Sequence, residues 1–482
     1  MILPMHPERL VHLDLKGAPP RVSSLETVFP LFHKWGATGL CIEWEDMFPY
    51  SGPLRLLRSP YAYTRADVKK ILAAAHRARL SVVPLIQTFG HLEFLLKHPR
   101  FAHLREQHGD LQNLCATRPD STPTIAAMID QVLALHPNID TIHLGGDEVR
   151  ALGKCPACKS FLRNHAHPPQ GGPGAPRTGS PRTRADLYLH HITPLLQQVR
   201  ARNLRPLLWD DMFRTWPVPA LRKLGKLAEL VVWDYGPELT WTATPTMWKN
   251  YARAGIKPWG ASAFKGAGEE DINWPWFEHR IQNHSAWAQR ACQHHLQGMI
   301  LTGWARHSHY YPLCETLPAA LPSLALCLDI LRAGKFTDAM RKKRFTQLGI
   351  GNMPFVHGTF ADIISIPRGN FPGAELFQLI GKLQGARQLS NTARHFTNVS
   401  FPHVNGDRWN VPRIAQVARD ARQAARTATE VSRAIERPLK KILYPADVRE
   451  FMDTKVRALI QAATTTARAA TALLHQAPKN AR

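Results

Sequence analysis

A chain of 482 residues exceeds an ordinary domain of roughly 100–200 residues, so one large domain with an appendage is the expected organisation. Its 44% hydrophobic residues and 13 Trp exclude general disorder, and no run of about 18 uncharged apolar residues offers a membrane span. A formal net charge of +24 leaves nucleic-acid association open but says nothing about fold.

From the N-terminus, "MILPMHPERLVHLDLKG" lacks the basic start, apolar stretch and small-residue cleavage site of a secretory signal. It runs directly into a strand-like segment, and a cytoplasmic or nucleocytoplasmic location is expected. Seven scattered cysteines fit a reducing compartment better than a disulfide framework. Eight short apolar runs follow: 10–17, 39–46, 81–91, 141–148, 204–211, 229–236, 258–266 and 298–306. Most are near-continuously apolar at their start, as strands covered on both faces are, and each ends in polar or aromatic residues.

Helix-like stretches separate the runs. Thr64 is placed to cap "RADVKKILAAAHRARL", with Asp67 in its first turn. "TPTIAAMIDQVLALHP" carries apolar residues at helical spacing up to Pro137, and "DLYLHHITPLLQQVRARN" and "ETLPAALPSLALCLDILRAG" continue the alternation. Eight strand–helix alternations predict an α/β fold, a (β/α)₈ TIM barrel over residues 1–335. A doubly wound sheet would place a glycine-rich turn after its first strand, and "DLKGAPP" is not one.

Residues 164–184 are rich in Pro and Gly and read as a basic insertion: Lys154 to Arg184 holds six Lys/Arg and no acidic residue. From about residue 336 the pattern changes to helices, a C-terminal α-helical extension over 336–482. In its last helix Val448, Met452, Val456, Leu459, Ala463, Ala467, Ala470 and Leu474 form a packing stripe. Arg413 to Arg482 carries 14 Lys/Arg against six Asp/Glu, which reads first as a solvated basic face. Completing the barrel, forming a homodimer interface, or neither, all remain open roles for this extension.

The chemistry sits at the strand ends, because the eight loops of a parallel barrel converge there. Those ends carry Asp14 and Lys16; Glu43, Glu45 and Asp46; Gln87 and His91; Asp147 and Glu148; Trp209, Asp210 and Asp211; Trp233, Asp234 and Tyr235; Lys265; Trp304 and Arg306. One Trp would be core packing. Three at comparable ends, with Trp44 a candidate fourth, are better explained as pocket walls. Indoles stack on the C–H faces of sugars, and carboxylates bind their hydroxyl rims. Two carboxylates also suit glycosidic cleavage, one giving a proton and one managing positive charge at the anomeric carbon. A neighbouring negative charge favours the protonated form of a carboxyl, as a general acid needs.

"HLGGDEV" at 143–149 resembles the Asp-Glu motif of family 20 β-N-acetylhexosaminidases, and "VVPLIQTFGH", "WDD", "WDY" and "TGW" extend the resemblance. With "LVHLDLKGAPP" and "IEWEDMFPY" it covers roughly residues 8–335, and the closest likeness is to the hexosaminidase D branch. The resemblance implies an exo-acting, retaining, substrate-assisted hydrolase of terminal β-linked N-acetylgalactosamine or N-acetylglucosamine on an oligosaccharide or glycoconjugate. It implies that Asp147 orients the 2-acetamido group and that Glu148 is the general acid/base. It further implies that Trp209, Trp233 and Trp304 surround the sugar, that Tyr235 bonds the acetamide oxygen, that His91 matches the family's strand-three histidine, and that Asp14 binds hydroxyls. No organic cofactor and no metal is expected in the catalytic step.

Other signals carry less. "CPAC" at Cys155 and Cys158 is half a zinc site, with His165 and His167 close behind; a thiol pair and plain structural cysteines are the alternatives. His307 and His309 read as hydrogen-bonded residues before metal ligands. A metal-dependent barrel hydrolase, and a non-catalytic glycan- or nucleic-acid-binding barrel, are the competing functions.

Overall fold

Eight strands, β1 (Glu8–Asp14), β2 (Gly39–Glu43), β3 (Ser81–Leu85), β4 (Thr141–His143), β5 (Arg205–Trp209), β6 (Glu229–Trp233), β7 (Pro258–Lys265) and β8 (Gly298–Gly303), close in chain order into a barrel. The computed structural model describes residues 8–163, 182–268, 273–351, 368–400 and 409–478. Each of the eight expected apolar runs coincides with one strand, the first of which begins two residues earlier at Glu8, and helices occupy the connections, so the fold is a (β/α)₈ TIM barrel. The register levels the strand ends: Asp14 pairs with Glu43, Glu43 with Leu85, Leu85 with His143 and His143 with Leu207. Polar residues just past these positions are thereby delivered to one rim.

Beneath that rim the barrel is filled by Leu10, Cys41, Val83, Leu85, Leu207, Trp209, Val231, Trp259, Ala261 and Ile300, all buried. Alternate residues of each strand face inward, so a run buried on both faces supplies this core and the layer under the helices at once. The helix Arg65–Arg77 begins at Thr64 with a full capping box: the Thr64 hydroxyl accepts from Asp67 N, and the Asp67 carboxylate accepts from Thr64 N. Thr183 and Asp186 repeat the arrangement at the helix Arg184–Arg200. The helix Ser121–Leu133 stops four residues before Pro137, which forbids continuation. Pro194 and Pro322 lie inside the helices Arg184–Arg200 and Leu317–Ala333.

Of the basic insertion, 164–181 lie outside the described residues, as do His165 and His167; Arg182 and Thr183 lead into the next helix, which starts at Arg184. By contacts the chain forms two compact units: Met1–Ala263 with Ile281–Tyr310 and Cys327–Lys335, and Phe264–Arg280 with Tyr311–Leu326 and Phe336–Arg482. Within the second, the helices Ala374–Ser400, Val411–Lys440 and Ala458–Gln476 pack through Ala393, Ile414, Val417, Ala418, Ala421, Ala467 and Ala470. Small residues there let the backbones approach closely.

The expected final helix is not one uninterrupted α-helix. The helix Pro445–Phe451 passes into a π-helical segment, Met452–Arg457, before Ala458–Gln476. Val448, Met452 and Val456 are spaced four apart, which drifts around a 3.6-residue helix; the wider π turn keeps all three buried on one side. Among the described residues no helix is long and apolar enough to cross a membrane.

Thr64→Ala removes the hydroxyl half of the capping box and is expected to destabilise the barrel unit by about 1 kcal/mol. Urea unfolding would show a lower midpoint for Thr64→Ala and a wild-type midpoint for Thr64→Ser.

Candidate active site

The turn after β4 is built for close approach. Gly145 and Gly146 have φ of 55° and 83°, a left-handed conformation that costs glycine little. A Cβ at Gly145 would stand 2.1 Å from the Gln87 side chain, and one at Gly146 would stand 2.3 Å from the Tyr188 hydroxyl. From the neighbouring loop, Gly90 lets the chain pass so near that a Cβ there would lie 2.0 Å from the Asp147 carbonyl oxygen. Glu148 itself sits at φ 49°, without glycine's freedom. Its N–H donates to Asp211 Oδ2 at 2.9 Å, which holds that strained backbone in place.

Asp147 and Glu148 both face His91. The imidazole Nε2 lies 3.3 Å from Asp147 Oδ2 and 3.6 Å from Glu148 Oε2. Burial would lower the pKa of His91, but the charge of Asp147 and the hydrogen bond to it outweigh burial and lift it to about 9. His91 is therefore a cation at neutral pH, set between two carboxylates. Asp147 is 7% exposed, and among the described residues its Oδ1 makes no hydrogen bond. Glu148 is more open, with its side chain 32% exposed and Oε1 accepting from Arg150 at 2.9 Å.

Aromatic rings stand beside this pair. Trp233 stacks on Tyr235 at 5.5 Å between centroids, with the Arg214 guanidinium 4.8 Å from the Trp233 ring centre. Trp304 Nε1 donates to the Tyr235 hydroxyl at 3.2 Å. Burial raises the phenol above its ordinary pKa, and the charges of Asp147 and Glu148 add to the effect, so Tyr235 keeps its proton. Trp209 is 1% exposed and lies lower, its ring 4.3 Å from His143 and 6.2 Å from Trp304. Among the described residues its indole N–H makes no hydrogen bond. Trp44 does not join the group; it packs on Phe48, Tyr63 and His136.

A charged network continues along the rim. Asp14 accepts backbone N–H groups from Lys16 and Ala305, each at 2.8 Å, and so ties the loop after β1 to the loop after β8. Lys16 Nζ is 3.6 Å from Asp14 and 3.1 Å from Glu45, and lies 5.7 Å from the Trp304 ring centre. Burial would lower Lys16, but Asp14 and Glu45 prevail and keep it charged. Burial raises Glu45 well above the carboxylate range and lowers His309. The two side chains meet at 2.6 Å, His309 Nε2 to Glu45 Oε2. Deeper, burial alone would raise Glu43, but Lys16, His12 and Gln87 hold it below the usual range.

The structure therefore brings Asp147, Glu148, His91, Trp233, Tyr235 and Trp304 together, with Trp209 beneath and Asp14 linked through Lys16. Asp211 stood among the strand-end residues without an assigned role, and Arg150 was not among the sequence candidates. Asp211 supports the Glu148 backbone and accepts from Trp233 Nε1 at 3.4 Å; burial and then the charge of Asp147 push its pKa up to about 7. The "WDD" run pointed to this region but could not separate Asp211 from Asp210. Arg214 engages both oxygens of Asp210, at 2.6 and 2.9 Å, and Tyr251 donates to it as well.

Paired carboxylates and indoles at the C-terminal rim of a TIM barrel define a glycoside hydrolase. The family model "Glycosyl hydrolase family 20, catalytic domain" matches residues 37–249. The chain is 40% identical over 468 residues to Hexosaminidase D of Homo sapiens, covering 94% of this chain and 92% of that protein. It is 42% identical over 353 residues to Hexosaminidase D of Bos taurus, covering 72% and 98%. It therefore belongs to glycosyl hydrolase family 20. A chitobiase structure from Flavobacterium johnsoniae shares the fold at 13% identity, with a TM-score of 0.51 over 98% of this chain and 72% of that one.

The raised His91 fixes a pH dependence. The folded protein holds this proton more tightly than the unfolded chain, so the ion pair stabilises fully below about pH 6.5 and fades as pH rises through about 9. Melting temperatures of wild type and His91→Gln should differ most below pH 6.5 and converge above pH 9. A gap that widened with pH would contradict the assignment of charge.

Proposed function

We propose that this chain is an exo-acting, retaining β-N-acetylhexosaminidase that removes terminal β-linked N-acetylgalactosamine or N-acetylglucosamine by substrate-assisted catalysis. One observation carries the reading: Asp147 is buried with Oδ2 facing a His91 cation, while Oδ1 has no hydrogen-bond partner among the described residues. Leaving a buried acceptor unpaired costs about 1–3 kcal/mol. A substrate acetamide N–H would satisfy that acceptor and be oriented by it.

The acetamide carbonyl oxygen then attacks the anomeric carbon as the glycosidic C–O bond breaks, and Glu148 gives its proton to the leaving oxygen. Asp147 stabilises the positive charge that spreads over the resulting oxazolinium ring. Tyr235, whose phenol stays protonated, donates to the acetamide oxygen. Water next attacks the anomeric carbon, Glu148 takes its proton, and the bond from that carbon to the acetamide oxygen breaks. Two inversions leave the configuration retained. Adjacent carboxylates suffice because the nucleophile belongs to the substrate, so no second carboxylate is needed across the ring.

His91 holds Asp147 in its aim through the 3.3 Å contact to Oδ2, Trp233 and Trp304 flank the sugar, and Trp209 forms the floor. Asp14, through Lys16, and the neighbouring Glu45 face the hydroxyl rim. The greater exposure of Glu148 suits a group that must meet both a leaving oxygen and water.

Chromogenic β-N-acetylgalactosaminide and β-N-acetylglucosaminide should be hydrolysed with the β-anomer as the first product by NMR, and their rate ratio reports the sugar preference. The matching β-galactoside and β-glucoside, lacking the acetamide, should be inert. Glu148→Gln should lose at least about a hundredfold in kcat on substrates with poor leaving groups, and less on aryl glycosides that need no proton. Asp147→Asn should lose rate on both. Cleavage of the acetamide-free sugars, or wild-type rates in Glu148→Gln, would refute the mechanism.

A further inference from the structure

Away from the paired carboxylates, three thiols and a carboxylate converge in the interior. Cys115 Sγ lies 3.5 Å from Cys155 Sγ and 3.5 Å from Cys158 Sγ, and Cys158 Sγ lies 3.2 Å from Glu106 Oε2. All four residues are buried, and one ligand atom from each falls within 4.8 Å of the others. Two loops supply them. Glu106 and Cys115 come from the connection after β3, where Arg105 and Leu114 form an antiparallel bridge and Glu106 N donates to Asn113 O. Cys155 and Cys158 open the helix Pro156–Arg163, after the turns that follow Glu148.

We propose that Glu106, Cys115, Cys155 and Cys158 bind one structural zinc ion. Soft thiolates with one carboxylate suit zinc, and a tetrahedral ion with Zn–S of about 2.3 Å sets its sulfurs about 3.8 Å apart, a few tenths beyond the spacing present. The surroundings are organised as the outer shell of a metal site is. Glu106 Oε1 accepts from Lys154 N at 2.6 Å and from Cys155 N at 2.8 Å, which fixes the carboxylate and leaves Oε2 facing the sulfurs. Cys158 N donates to Cys155 Sγ at 3.3 Å, and the Thr117 hydroxyl lies 3.4 Å from both Cys115 Sγ and Cys158 Sγ. Three thiolates and a carboxylate around a divalent ion leave a net charge of −2, the same as four thiolates would. Binding releases the three thiol protons to solvent.

The ion would staple the loop that carries His91 to the loop that carries Asp147 and Glu148. It holds no open position for substrate and takes no part in bond cleavage. Its role is to fix two connections that hydrogen bonds between thiols would hold weakly.

The test uses the full chain, purified under reducing conditions without metal-affinity chromatography. Elemental analysis should find about one zinc per chain. Replacement by cobalt(II) should give thiolate-to-cobalt charge-transfer absorption and intense visible bands of tetrahedral cobalt, a readout that needs no variant and no activity. Glu106→Gln should weaken zinc affinity by about tenfold or more; Cys115→Ser and Cys158→Ser should abolish stoichiometric binding. Cys292→Ser, at an exposed cysteine outside the cluster, should keep it. Chelation should lower the melting temperature, and added zinc should restore it. Reduced protein that takes up less than a tenth of an equivalent of zinc, a cobalt spectrum without charge transfer, or a disulfide among the three cysteines would overturn the proposal.

Discussion

Negative charge gathered at one end of the barrel must be balanced largely by protein groups, and the rim is organised around that requirement. Levelled strand ends carry Asp14, Glu43, Glu45, Asp147, Glu148 and Asp211 to the same region, most of them buried. A buried, uncompensated charge costs several kcal/mol, so each carboxylate needs a cation, a donor or a proton. Lys16 serves Asp14 and Glu45, His91 serves Asp147 and Glu148, and His12 with Gln87 serves Glu43 at 3.0 and 2.9 Å. Asp147 Oδ1 is one of several buried acceptors at this rim without a hydrogen bond among the described residues, and the proposed chemistry begins there.

The same rim stores backbone strain. Glu45, His91 and Glu148 have φ of 42°, 52° and 49°, a region that side chains with a Cβ seldom occupy. Each is held by its neighbours: Glu148 by Asp211, His91 by the Asp147–Glu148 pair, and Glu45 by Lys16 and His309. Turning single residues into the left-handed region redirects side chains in the loops beyond the strand ends. Glycines absorb the steric consequence where chains touch, most tightly at Gly90 against the Asp147 carbonyl. A thiol-bound ion a few residues past Glu148 would brace the same two loops from behind, so that the strained turn rests on rigid supports.

Much of this was legible in the chain. Continuous apolar runs spaced by capped helices specify a parallel barrel, because a strand buried on both faces has no polar alternate positions. A known barrel tells which strand end is chemical and so drew up the strand-end residues, among which the resemblance to family 20 singled out Asp147, Glu148, His91, Trp233, Tyr235 and Trp304. Thr64 was legible as a cap and Asp67 as a first-turn acid for an equally local reason, and their spacing of three is what lets them close the capping box the structure shows.

What the sequence left open depends on contacts between residues far apart in the chain. Asp210 and Asp211 are indistinguishable as letters; the fold turns one to Arg214 and Tyr251 and the other to the Glu148 backbone. Cys155 and Cys158 read as half a site because Cys115 and Glu106 arrive some forty to fifty residues away, on another loop. The π-helical segment at Met452–Arg457 follows from keeping Val448, Met452 and Val456 buried together, which no local propensity encodes. The chain by itself determined its periodicities, its caps and the residue types at each strand end, because these are settled within a few residues. Only the tertiary structure decided the charge state of His91, the partner of each carboxylate and the convergence of the thiols, because burial and Coulomb interactions act through space rather than along the backbone.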